Sequence, residues 1–128
     1  MKKLFALIFV TLLGGCASSY HNIDLEGESA LGGGFRDKKI AEGMYKIMAK
    51  TNFAPWLNYS AAHKTFNRRA KELCDGDYQI LRTTESQSEH METEGLAKYI
   101  ISKVDGYVLC ENTLTSKEEA KRLLKLEY

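Results

Sequence analysis

The sequence predicts a small α+β domain: an antiparallel or mixed sheet of three to four strands, one main helix packed on it, and a short C-terminal helix. Three observations carry this. Gly43–Thr51 alternates apolar and polar residues, as a half-buried strand does. Residues 58–74 carry an apolar stripe at helical spacing. A strand-rich stretch and a second, shorter amphipathic segment close the chain.

In the first predicted strand Tyr45, Ile47 and Ala49 point one way, and Lys46, Met48 and Lys50 the other. Phe53 to Trp56 forms an apolar turn around the one proline, Pro55. Asn58 or Ser60 can cap the main helix, which runs to about Cys74. Ala62, Phe66, Ala70 and Leu73 form its buried stripe, with Lys64, Arg68 and Lys71 lying off it. Gly76 occupies the place of a left-handed helix terminator. Asp77–Thr84 reads as a second strand and the acid-rich Glu85–Gly95 as a loop. Ala97–Val104 and Tyr107–Cys110 are also strand-like. The Asp105-Gly106 pair between them fits a tight hairpin turn, with one long bent strand as the alternative. Ser116 and Glu119 have the spacing of a capping box, and Ala120, Leu123, Leu124 and Leu126 are the apolar residues of the final helix.

Ahead of all this the N-terminus has three parts. Lys2 and Lys3 give positive charge, Leu4 to Leu13 is an apolar run broken only by Thr11, and Leu13-Gly14-Gly15-Cys16 follows. A run of about ten residues is too short to cross a hydrocarbon core of ~30 Å and fits a cleaved signal. Leu13-Gly14-Gly15-Cys16 resembles the bacterial lipobox, which implies cleavage before Cys16 and lipid on its sulfur. Residues 1–15 are then a signal peptide, 16–34 a flexible tether, and 35–128 a single domain. Ala17 after the cysteine, in place of Asp, implies sorting to the outer membrane, facing the periplasm.

Loss of Lys2 and Lys3 leaves the basic residues one fewer than the 17 acids. So even a balance gives no argument for nucleic acid as a partner. Of three cysteines, Cys16 goes to lipid, and Cys74 and Cys110 remain in an oxidising compartment as a disulfide pair.

The ordered series Leu31-Gly32-Gly33-Gly34-Phe35, Lys50-Thr51-Asn52 and Arg68-Arg69-Ala70-Lys71-Glu72-Leu73-Cys74 before Asp77-Tyr78 resembles the CC0125/CC1285-type family of small uncharacterised bacterial envelope lipoproteins. The likeness covers about residues 31–81. Thr51, where glycine is typical, and the added Cys74 depart from the pattern. The resemblance implies an envelope location and no catalytic activity.

The chemistry-bearing residues point the same way. His21, His63 and His90 are scattered without metal-ligand spacing, so neither a metal nor another cofactor is expected. No Gly-x-Ser-x-Gly elbow appears. Glu92 with Glu94 and Glu118 with Glu119 lie in polar, solvated contexts. Arg68 and Glu72 are spaced to pair on the helix surface. Trp56 and Tyr59 in an aromatic cluster, with Arg68 and Arg69, are the candidate partner-binding residues, since Trp, Tyr and Arg are enriched at interface hot spots; the other reading of the aromatics is that they close the end of the core beneath the helix. The expectation is a non-enzymatic module, lipid-anchored in the envelope, that binds another envelope protein. A periplasmic domain binding a small ligand or an envelope polymer is the alternative.

Overall fold

The computed structural model describes residues 20–91 and 98–126. Cys16, the expected signal at 1–15, and Glu92 and Glu94 lie outside the described residues, as does the side chain of His90. The elements in chain order are α1 (Ile23–Glu26), β1 (Gly34–Ala41), β2 (Met44–Lys50), α2 (Tyr59–Cys74), β3 (Tyr78–Met91), β4 (Lys98–Cys110) and α3 (Lys117–Leu126). All four strands form one antiparallel sheet in the order β1-β2-β4-β3, so the fold is α+β.

Alternation along β2 and β4 divides the core between the two sheet faces. On one face Ile47, Ala49, Val104 and Val108 meet Ala62, Phe66 and Ala70 of α2, all fully buried. On the other, Met44, Tyr107 and Leu109 are covered by α3 through Ala120, with Leu123 and Leu124 at the margin. The sheet is thus sandwiched at one end between two helices. Helix α2 starts where the sequence expects, with the Asn58 side chain accepting from the Ala61 amide at 3.2 Å. Helix α3 is capped by Ser116, whose hydroxyl accepts from the Glu119 amide at 3.2 Å. The two ends of the α2 layer and β4 are joined by the Cys74–Cys110 disulfide, with Cα atoms 5.2 Å apart.

Four expectations are corrected. The Asp105-Gly106 pair makes no turn: β4 runs through it, pairing Gly106 with Ile47 on one side and Thr83 on the other. Glycine is needed there for space. A Cβ on Gly106 would lie 2.6 Å from the Arg82 carbonyl oxygen and 2.9 Å from Phe66 Cζ. The acid-rich stretch is not a loop over its described part, because β3 continues to Met91. Its polarity suits an edge strand, whose charges discourage pairing with other chains. A register shift between Ile80 and Arg82 lets Leu81 turn in against the α3 core. The left-handed residue ending α2 is Asp75 (φ 50°, ψ 44°), one position before Gly76.

The fourth correction concerns the tether. From Tyr20 the chain is already part of the domain, so the expected boundary at residue 35 falls at least fifteen residues too late. Asn22 caps α1, Ile23 is buried, and the Phe35 amide donates to the His21 carbonyl at 3.0 Å. Residues 34–41, unread as a strand because charges interrupt their alternation, form β1 against β2. The hairpin between them closes on Glu42-Gly43, and the Glu42 carbonyl accepts from the hydroxyls of Thr113 at 2.8 Å and Thr115 at 2.6 Å.

Replacing Cys74 and Cys110 together by serine is expected to lower the unfolding free energy by about 4 kcal/mol, from the chain entropy released in the unfolded state. Denaturant melts of the native and substituted proteins check this; equal midpoints would show that the bond restrains little.

Candidate functional site

Three surfaces bear on function, and the first concerns the arginines. Arg69 Nε donates to Asp37 Oδ2 on β1 at 2.7 Å, and Arg69 Nη1 lies 3.3 Å from Glu72 Oε2. Its guanidinium stands 4.8 Å above the Phe35 ring. Arg68 lies 3.6 Å over the Tyr20 ring and pairs with Glu72 at 3.4 Å, the pairing its spacing predicts. Tyr20 completes the clasp, donating its hydroxyl to Glu72 Oε1 at 2.7 Å and packing on Phe35 at 4.8 Å. Arg69, with 21% of its side chain exposed, is therefore committed inside the chain rather than offered to a partner. Arg68 keeps an outer face, at 62% exposure.

The clasp shifts the groups it joins. Burial, then the hydrogen bond to Glu72 and its charge, push the Tyr20 hydroxyl up to about 12. The same hydrogen bond, with Arg69 and Arg68 nearby, holds the Glu72 carboxyl below its ordinary value. Because the Tyr20 proton is held more tightly folded than unfolded, the contribution is whole below pH ~10 and is lost as pH rises toward the folded value.

The second surface is the loop between β2 and α2. Thr51 and Ser102 are buried, and they join the loop to β4. The Ser102 amide donates to Thr51 Oγ1 at 3.0 Å, the Thr51 amide to the Ser102 carbonyl at 2.9 Å, and the Asn58 amide to Ser102 Oγ at 2.7 Å. Ala54 and Ile100 exchange backbone bonds at 3.1 and 2.7 Å between these points. On this bolted loop Trp56 is 63% exposed and Leu57 48% exposed. Leu31, also exposed, joins it through its carbonyl, which accepts from the Phe53 amide at 2.9 Å. Trp56 thus does not close the core, and Tyr59 is half-buried at the first turn of α2.

The third surface is the part of the sheet face that α3 leaves open. Arg36, Asp37 and Lys38 of β1, Lys46 and Met48 of β2, and Lys103 and Asp105 of β4, with Asp24, line a cup of about 370 Å³ there. A second hollow of about 230 Å³ shares Met48 and Lys103 and continues along β3 past Ser86 and Ser88. Arg36 is held by Asp24 and Glu28, each at 3.3 Å, Lys103 by Asp105 at 3.5 Å, and Lys46 lies 5.6 Å from the Tyr107 ring. Four cations and three carboxylates share the cup, an arrangement that suits a polar ligand laid along the sheet. Sequence reasoning missed it. The polar half of the β2 alternation was a signal, but it needs β1 and β4 as neighbours to become a site.

Other candidates fall elsewhere. Among the described residues no group of three or more His, Cys, Asp and Glu side chains is placed to hold a metal ion. His21 Nε2 is 3.2 Å from the Gly27 carbonyl oxygen, and His63 pairs with Glu85 at 2.7 Å on the surface, far from any shared center. The bonded sulfurs of Cys74 and Cys110 supply no thiolate. Glu118 and Glu119 are exposed on α3. No helix among the described residues is long and apolar enough to cross a membrane. Compared with protein-family models, with curated proteins and with solved structures, the chain matches none.

Arg69→Ala is expected to loosen the clasp without unfolding the sheet. Limited proteolysis of the variant should cut within residues 20–34 several-fold faster than in the parent. Unchanged cleavage in this segment would show that Arg69 does not hold it.

Proposed function

We propose that the chain is the precursor of a bacterial lipoprotein, acylated on Cys16, whose domain binds another envelope protein and performs no reaction of its own. Lys2-Lys3, the apolar run to Leu13 and Leu13-Gly14-Gly15-Cys16 support the anchor. Ala17 supports an outer-membrane location facing the periplasm. The disulfide suits an oxidising compartment. The likeness of residues 31–81 to the CC0125/CC1285-type lipoproteins agrees with both.

The observation that carries the binding reading is Trp56, 63% exposed on a loop that buried Thr51 and Ser102 fasten to β4. An exposed Trp is an apolar surface in contact with water. On a pinned loop, little ordering entropy is lost when a partner covers it. A Trp at the center of an interface commonly contributes 2 kcal/mol or more, about 30-fold in Kd. The second reading, an envelope-polymer site, is favored by the lysine-lined cup, since anionic polymers would meet Lys38, Lys46 and Lys103 there.

The test places a photo-reactive residue at Leu57, exposed beside Trp56, or at Lys38 in living cells. Position 57 should capture one envelope protein, and Trp56→Ala should weaken binding of that protein by at least ~30-fold with the melting temperature unchanged. Polymer adducts at position 38, with no protein at 57, would replace the first reading by the second.

A further inference from the structure

Resting on the reading that Cys16 is acylated, the geometry points to a second surface for this chain: the outer face of α2 lies on the membrane that holds the lipid, its cations meeting anionic lipid headgroups. Two independent features lead there. The first is the length of chain between the acylated cysteine and the domain. Tyr20 is clasped on the flank of α2, its ring beneath Arg68 and its hydroxyl on Glu72. Three residues, and so four residue-to-residue steps, separate Cys16 from Tyr20. At about 3.5 Å per residue they reach no more than about 14 Å even when fully extended. A domain held so close cannot stand off the bilayer; one of its faces must rest near the headgroups. The entry point selects the side, because Tyr20 lies on the α2 layer of the sandwich and not on the α3 layer.

The second feature is charge. Lys64, Arg68 and Lys71 are exposed on α2. At 3.6 residues per turn they fall within about 60° of arc, diametrically across the helix from Ala62, Phe66 and Ala70. The stripe therefore points straight away from the sheet. Arg69 is turned onto Asp37, and Glu72, the one acid of α2, pairs with Arg68, so the outer face presents Lys64, Lys71 and the exposed side of Arg68, while the chain as a whole is nearly balanced. Cations within a Debye length, about 8 Å, of an anionic lipid surface are attracted to it. The acyl chains supply attachment and the stripe supplies orientation, the two signals reinforcing one another. With α2 down, the cup around Lys38 and Lys46 on the opposite sheet face is turned away from the membrane, open to a partner.

The experiment uses the full acylated protein, purified from the envelope and reconstituted in vesicles of phosphatidylethanolamine with or without phosphatidylglycerol. A photo-reactive residue replaces Ser60, exposed on the same side of α2 as the stripe, or Lys38 on the opposite sheet face. Several-fold more phospholipid adducts at position 60 than at 38 are expected when phosphatidylglycerol is present. The excess should fall in its absence, and in the double variant Lys64→Gln, Lys71→Gln. Equal adducts at both positions, or none at either, overturn the orientation. The intact mass of the mature chain separates the two claims. An acylated chain without the excess sinks the orientation alone, whereas an unacylated chain sinks the anchor and the orientation with it.

Discussion

Strand β4 is the constraint on which the rest of the molecule depends. It is flanked by β2 and β3, so its backbone bonds are shared with both. Its side chains alternate between two cores: Val104 and Val108 pack under α2, and Tyr107 and Leu109 under α3. Its end carries Cys110, which ties the C-terminus of α2 to the sheet. Ser102 within it fastens the loop that bears Trp56. A break at Asp105-Gly106 would separate these roles, and the close approach of Phe66 and the Arg82 carbonyl to Gly106 requires the strand to stay whole.

The parts of the fold legible in the sequence are those in which local pattern and tertiary demand agree. Helix α2 has a capping Asn58 and a clean stripe, and both appear where the pattern puts them. The same holds for β2 and for the Ser116 cap of α3. Where the reading failed, pairing partners outvoted composition. Residues 85–90 are polar, and only β4 alongside makes them a strand. Asp105-Gly106 has the chemistry of a turn, yet glycine was there for lack of space. The segment from Tyr20 to Gly34 has no periodicity of its own, and Tyr20 is held by Arg68 and Glu72 from a helix some fifty residues away.

The same contrast governs the candidate sites. Trp56 was visible as an aromatic in a loop; that it is exposed and bolted depends on Thr51 and Ser102, which carry no signal of their own. Arg69 looked like a hand held out to a partner and is instead closed on Asp37. The cup exists only because three strands bring one lysine each, Lys38, Lys46 and Lys103, to the same face. Layered this way, the domain has a basic helix on one side, an open sheet face on the other and an aromatic loop at its rim.

Hydrogen exchange of the native protein, followed amide by amide by NMR, tests the central place of β4 most directly. The account predicts that the amides of residues 104–109, Asp105 and Gly106 included, exchange only through global unfolding and are the slowest in the chain. Exchange at Asp105 and Gly106 orders of magnitude faster than at Val104 and Val108 would mean that the strand is broken there, and would contradict the architecture built on it.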